Sequence, residues 1–241
     1  MYRLLLATII AFAFASCGNE NDNMTVNGTI EGLRKGTVYF QKVADSTLVT
    51  IDSVVINGNP TFNFSTNVES PEVFSLYLDK NDGNNLNDRL DFFGEPGAIT
   101  ITTSRDYFAP EAKVEGSKSH EDWMSYKKII SKFSEKNLEL IKETLEAQKE
   151  GKLALADSLQ KVSNSNLKRS YLYTLNFIFN HSDSYTAPYI TLTDAYNTNV
   201  KYLDSINNSL SDEVAESKYG KMLQEYIEEL KSRDLATDSL Q

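Results

Sequence analysis

The chain has 241 residues, with 24 Lys and Arg against 34 Asp and Glu, so its formal net charge is −10. This acidity argues against nucleic acid and anionic lipid surfaces as partners, because both are bound through clustered Lys and Arg. The composition is that of a globular chain rather than a low-complexity one, and the length suffices for one large domain or two small ones.

The first sixteen residues have the three parts of a secretory signal peptide. Arg3 supplies a positive start, residues 4–14 are mostly apolar, and Ala15 and Ser16 close the segment with small side chains. An apolar stretch of this length suits a signal peptide and is too short for a membrane-spanning helix. We therefore predict a signal peptide over residues 1–16.

The only cysteine of the chain, Cys17, follows this segment directly. This is where a bacterial lipoprotein is cut and acylated, so we predict lipid attachment to the sulfur of Cys17 and a polar tether over residues 17–23. The lipid would make the membrane a partner and place the protein in the cell envelope. Because Gly18 rather than Asp follows the cysteine, we expect the outer membrane, with the leaflet undecided.

Two other interpretations of the N-terminus stay open. Lipoprotein signals usually carry Leu three residues before the cysteine, and this chain has Phe14 there. Residues 13–15 form an A-x-A sequence, at which an ordinary signal peptidase could cut and release a soluble protein. The segment could also stay uncleaved as an anchor.

Residues 24–116 alternate apolar and polar side chains with a period of two, and turn residues separate the runs. Short strands at this spacing predict an antiparallel β-sandwich-like domain. Asn57 and Gly58 predict a hairpin turn, because both tolerate positive φ. The predicted strands are 25–30, 37–43, 48–56, 61–66, 72–78, 89–93 and 98–103. The side chains expected to share the inner faces are Val38, Phe40, Val49, Ile51, Phe62, Phe64, Phe74, Leu76, Leu78, Ile99 and Ile101.

Residues 117–241 have a helical period instead and predict an all-helical domain, which makes the fold class α+β. Gly151 is expected to end the first helix, and Pro188 to lie near the start of a shorter one. The apolar stripes of the two long helices are Trp123, Tyr126, Ile130, Phe133, Ile141 and Leu145, then Leu167, Tyr171, Leu175 and Ile178. A third stripe is Tyr185, Tyr189, Leu192 and Tyr196, and the last is Tyr219, Leu223, Tyr226 or Ile227, and Leu230.

Trp123, the only tryptophan, lies in the first turns of the predicted helical domain. A large indole on an apolar stripe is more often packed than left in water. We expect Trp123 to pack against the sheet or against neighbouring helices. If it bridges the two halves of the chain, they should melt together; if it is exposed, they are independent domains.

Several short motifs occur together in a fixed order, and together they resemble an uncharacterised β-domain of Bacteroidota lipoproteins, domain of unknown function 4369. Two runs of the helical half resemble the helices that follow this domain in the same proteins. The motifs are Gly28–Gly32, Val38–Phe40, Asp52–Ser53, Asn57–Gly58, Phe62–Phe64, Pro71 and Phe93–Gly97, then Asn180–Ser184 and Ser217–Lys221.

The resemblance also carries an expectation about activity. In many relatives a thioredoxin-like domain with a C-x-x-C pair comes next and acts as an envelope thiol–disulfide oxidoreductase. Thiol–disulfide exchange needs an attacking and a resolving thiol, and this sequence has only Cys17. We therefore expect a non-catalytic binding or accessory module with a protein or glycan ligand. The alternatives are a redox-pathway helper without an active site and a structural envelope component.

Other chemistry finds little support in the sequence, and we expect no catalytic, cofactor or metal site. The two histidines, His120 and His181, have no metal-binding spacing. Residues 181–183 read His-Ser-Asp, but adjacent residues do not face one another as a catalytic triad must, so we interpret them as a helix end.

Two weaker patterns concern calcium binding and glycosylation. The run from Asp79 to Asp88 is rich in oxygen ligands but lacks the glycine and glutamate positions of an EF-hand, so a polar connection is the better interpretation. Four Asp-Ser-aliphatic triplets resemble the O-glycan acceptor motif of the same bacterial group. Their serines are Ser53, Ser158, Ser205 and Ser239.

Overall fold

The computed structural model describes residues 22–44, 47–83 and 88–238, with side chains as far as residue 233. The predicted signal peptide and Cys17 lie outside these residues. The described strands are β1 (Met24–Glu31), β2 (Lys35–Ala44), β3 (Thr47–Asn57), β4 (Thr61–Thr66), β5 (Glu72–Asp79), β6 (Arg89–Gly94), β7 (Gly97–Ser104) and β8 (Lys113–Glu115).

The strands form two four-stranded sheets, ordered β4-β1-β7-β8 and β3-β2-β5-β6, with one apolar core between them. Phe40 lies at the centre of this core and stacks on Phe64 and Phe74, with ring centroids 5.3 and 5.1 Å apart. Such pairs add to the free energy gained by removing the rings from water. The predicted sandwich-like domain is confirmed, and β4 has the predicted bounds.

Pairing and direction depart from the prediction in two places. β1 and β7 run parallel, whereas all the other strand pairs of the described sheets are antiparallel. The period of two does not distinguish the two directions, because side chains alternate in both. The predicted hairpin at Asn57 and Gly58 is wrong, since β3 and β4 belong to different sheets. Gly58 has φ +96° and its N–H donates to the Arg34 carbonyl at 2.8 Å, so this turn passes the chain from one sheet to the other.

The inner face of β3 also differs from the predicted one. Val49 is 44% exposed, and Ile51 only touches the core from its edge. The register between β2 and β3 shifts by one residue beside Phe40, where Ile51 has no partner opposite it. Such a bulge exchanges the two faces of a strand, so that Ile56 takes the inner position instead.

The helices are α1 (Lys118–Lys149), α2 (Leu153–Asn180), α3 (Thr186–Asp194), α4 (Val200–Ser209), α5 (Asp212–Ala215) and α6 (Lys218–Asp238). Gly116, with φ +92°, separates β8 from α1, and Gly151, with φ +73°, follows α1 as predicted. The predicted α+β fold class is confirmed. None of the described helices is long and apolar enough to cross a membrane.

The apolar stripes of α1 and α2 are buried only where other helices pack on them. Trp123 and Ile178 are buried, whereas Ile141, Leu145 and Leu167 are 43, 60 and 51% exposed. The apolar stripes predicted for α1 and α2 therefore extend beyond the buried core of the helical half. The two helices extend past α3 and α6, and within the described residues nothing covers their far ends.

Candidate functional site

The two halves of the chain meet around one aromatic ring. Phe93 at the end of β6 is fully buried among helical residues. Trp123, Tyr189 and Tyr219 meet its ring edge to face, with centroids 5.5, 5.2 and 6.2 Å away. Trp123 itself is 7% exposed. The prediction that Trp123 is packed rather than exposed is confirmed, and its ring contacts both Phe93 of the sheet and Tyr189 of the helices.

Polar contacts also join the sheet to the helices at this junction, and no local sequence pattern predicts them. The Glu95 carboxylate accepts hydrogen bonds from the Lys118 N–H at 2.6 Å and the Ser119 hydroxyl at 2.6 Å. A carboxylate at a helix N-terminus is favoured because it meets unpaired N–H groups and the positive end of the helix dipole. The buried Glu72 carboxylate pairs with Lys42 of the sheet and Lys218 of α6.

His120 is part of the junction rather than a ligand-binding group. It is 6% exposed, and its Nδ1 accepts a hydrogen bond from the Phe93 N–H at 3.4 Å. Burial, together with the positive charge of Lys127, lowers its pKa from 6.5 to about 4, although Glu95 opposes the shift. The imidazole is therefore neutral at physiological pH.

This depressed pKa predicts a loss of stability in acid. The unfolded chain takes up a proton on His120 near pH 6.5, whereas the folded chain takes it up only near pH 4. The free energy of unfolding therefore falls as the pH drops through this window, by about 2–3 kcal/mol from this group. His120→Gln keeps a neutral acceptor for the Phe93 N–H, and urea unfolding at pH 4 to 7 should give it a smaller pH dependence. An equal dependence in both proteins would contradict the assignment.

A cleft of about 660 Å³ opens beside this junction, between the sheet ends and the helix ends. It brings together residues of motifs from both halves of the chain, which are far apart in sequence. Its lining residues are Glu69, Pro71, Glu95, Pro96, Lys118, Ser119, Asp122, His181, Asp183, Ser184, Tyr185 and Glu213.

Negative charge dominates the cleft, with five carboxylates against Lys118 and one histidine. Some of these groups hold the walls together. The Ser184 hydroxyl donates to Asp122 at 2.9 Å, and the Tyr185 hydroxyl donates to Glu213 at 2.6 Å. Burial and then this hydrogen bond raise the pKa of Tyr185 to about 12, so the phenol stays neutral. The arrangement can hold a positively charged group.

The His-Ser-Asp run at residues 181–183 ends α2, as interpreted from the sequence. The His181 ring stacks on Phe177 at 3.8 Å between centroids, and its Nδ1 lies 2.8 Å from the Phe177 carbonyl oxygen. The Ser182 carbonyl accepts from the Ser211 N–H. Among the described residues, no serine hydroxyl is hydrogen-bonded to an imidazole ring. These three residues therefore do not form a catalytic relay.

The oxygen-rich connection after β5 contains an ion pair. The Lys80 ammonium lies 2.7 Å from an Asp88 carboxylate oxygen, and both side chains are almost fully buried. Asp82 pairs with Arg105 at 3.0 Å. Residues 84–87 lie outside the described part. Over the residues that are described, no three His, Cys, Asp or Glu side chains are grouped to hold a metal ion.

The predicted tyrosine stripe does not form one helix face. α3 ends at Asp194, so Tyr196 lies beyond it and is 52% exposed. Tyr185 precedes the helix as its N-cap. The fully buried face of α3 is formed by small and aliphatic side chains instead, and they include Ala187 and Ile190. Of the four triplet serines, Ser53, Ser158 and Ser205 are exposed and Ser239 lies outside the described residues, so glycosylation stays a prediction.

A family model described as Domain of unknown function (DUF4369) matches residues 24–123. The match supports the resemblance to this domain for the β half of the chain. It extends beyond Gly116 to Trp123, so it includes the first turns of α1 that pack on Phe93. No curated protein and no solved structure matches the chain. Lipid attachment, the bacterial group and the link to thioredoxin-like domains stay predictions.

Proposed function

We propose that this protein is a lipid-anchored accessory protein of the bacterial cell envelope, which binds a positively charged partner in the junction cleft and catalyses no reaction itself. The cleft carries the proposal. Its volume lies within the roughly 300–1,000 Å³ typical of binding pockets, which often occur between domains. Its surplus of carboxylates suits a cationic group such as a lysine side chain or an amine.

The anchoring part of the proposal depends on the N-terminal sequence. A signal peptide over residues 1–16 followed by Cys17 would deliver the protein to the envelope and hold it there. The non-catalytic part of the proposal is supported by the structural roles of the polar side chains in the cleft. Glu95 caps a helix, and Asp122 and Glu213 accept hydrogen bonds that join neighbouring elements.

Photo-crosslinking in cells tests the proposal. A photoreactive amino acid at Tyr185, in the cleft, is expected to yield a discrete adduct. The same residue at Tyr107, at the other end of β7 and 57% exposed, serves as the position control and should yield none. An adduct pattern that is the same at both positions, or absent from the cleft, would refute the proposal.

Charge variants identify the class of partner. Glu69→Gln with Asp183→Asn removes two cleft carboxylates that form no ion pair among the described side chains. Because exposed charge pairs contribute about 0.2–1 kcal/mol each, the adduct should weaken at least about twofold. Glu225→Gln with Glu228→Gln changes the net charge equally on the exposed side of α6 and should leave the adduct unchanged. Equal weakening by both pairs would mean that net charge, not the cleft, attracts the partner.

A further inference from the structure

The α1–α2 hairpin has a base that packs on the rest of the helical domain and a far part that does not. Two hydrogen bonds fix the antiparallel register of the hairpin. The Ser163 hydroxyl donates to the Asn137 side chain at 2.7 Å, and the Asn166 amide donates to the Phe133 carbonyl at 2.9 Å. Residues 134–167, the distal hairpin, therefore form a pair of helices held by their own narrow seam.

One face of the distal hairpin continues the buried face of its base. Ile141 lies eighteen residues, or five helical turns, after Trp123, and Leu145 lies one turn further. On α2, Leu167 lies eleven residues, or about three turns, before Ile178. Trp123 and Ile178 are both buried in the helical core. The same apolar face therefore continues past the core and becomes exposed to solvent.

The exposed part of this face is apolar and almost free of charge. We define the distal face by Leu138, Ile141, Leu145, Leu153 and Leu167, which are 67, 43, 60, 69 and 51% exposed. The polar residues among them are Ser134, Gln148, Gln160 and Asn164, and charges stand at the border, with Lys149 one turn after Leu145 and Asp157 one turn after Leu153. The opposite side of the hairpin is a shallow groove with Lys136, Lys161 and Arg169. An apolar face with charges only at its border has the composition of an interface core rather than of a solvated surface.

We propose that the distal face binds the same face of a second copy of this chain, so that two hairpins form a four-helix bundle about a two-fold axis. The exposed apolar side chains of the distal face and Tyr171 amount to roughly 600 Å² per copy, if a fully exposed large side chain counts about 200 Å². This is at the upper end of the largest apolar patch of a typical monomer. With the intervening amides it approaches the about 800 Å² per partner of a standard interface.

The composition of the face indicates a second copy rather than an unlike partner. In a two-fold interface the same patch of each subunit contacts its copy on the other subunit. A patch with charges of one sign would therefore repel itself. The distal face has little net charge, because Lys149 and Asp157 at its border are opposite in sign, although the whole chain has a net charge of −10. Two helices from each copy also suffice to enclose a four-helix core, as in antiparallel bundles.

The test measures the mass of the full-length chain in a mild detergent by sedimentation over about 1–100 μM protein. We expect twice the mass of one processed chain for the wild type, after the bound detergent is subtracted. Leu145→Lys with Leu167→Lys places two charges per copy in the interface and should weaken association at least about 100-fold. The matched control is Leu155→Lys with Val162→Lys. These side chains are 48 and 49% exposed, and Val162 lies sixteen residues before Ile178 and so on the opposite side.

Circular dichroism melting curves establish that all three proteins are folded. The proposal holds if the wild type and the control variant are dimers and the distal-face variant is a folded monomer. A wild type that is monomeric throughout the concentration range overturns it. Dissociation by the control pair alone, or equally by both pairs, also overturns it, since the interface would then lie elsewhere.

Discussion

Replacing Trp123 with Ala is expected to lower the free energy of unfolding by about 3–5 kcal/mol, the range for truncating large aromatic side chains in cores. The indole meets Phe93 and Tyr189 edge to face at 5.5 and 5.7 Å, and the Lys127 ammonium lies 4.2 Å from its ring centroid. Its removal would leave a cavity where β6, α1 and α3 meet. Such a loss is a large share of the roughly 5–15 kcal/mol that stabilises a typical domain.

Chemical unfolding followed by far-UV circular dichroism measures this loss. Tyr107→Ala is the control, because that aromatic ring is 57% exposed and its truncation should cost no more than about 0.5 kcal/mol. The wild-type indole should emit at short wavelength and resist iodide quenching. Since Trp123 joins the two halves, they should unfold in one transition. Two transitions, with a freely quenched indole, would contradict the shared core.

The success of the Trp123 prediction shows what the sequence specifies well. The period of the side chains predicts where strands and helices lie, and Gly151 predicts the end of α1, because these are local properties of the backbone. The indole was placed correctly because its burial follows from size alone. Strand direction was not specified locally, so the parallel pairing of β1 with β7 could not be predicted.

The candidate site depends on contacts that no local pattern encodes. Glu95 caps α1 across more than twenty residues, and Glu72 pairs with Lys218 across 146 residues. A carboxylate in such a position has the same local sequence signal as one on the surface. The motifs around Pro96 and Asp183 were visible as runs of polar and turn residues, but only the fold brings them to one cleft.

Cys17→Ala is expected to move the protein from the membrane pellet to the soluble fraction. Each buried CH₂ group of an acyl chain contributes about 0.8 kcal/mol, and one chain alone binds membranes with K about 10⁴ M⁻¹. A lipoprotein cysteine carries two or three chains, so wild-type binding should resist dilution and salt washes. The variant would lose every chain at once. Asn19→Ala, two residues further along the tether, retains the thiol and should stay in the pellet.

Fractionation of cells with mass spectrometry of the N-terminal peptide separates the three interpretations of this segment. Lipidation predicts a wild-type peptide that begins at Cys17 with acyl mass attached, and a variant cut after Ala15 at the A-x-A sequence instead. A soluble wild-type protein that begins at Ser16 would mean ordinary secretion. A pelleted protein that retains residues 1–16 without acyl mass would make the apolar segment itself the anchor. In either of these cases the lipid part of the proposal would fail, because a free thiol at Cys17 adds almost no affinity for a bilayer.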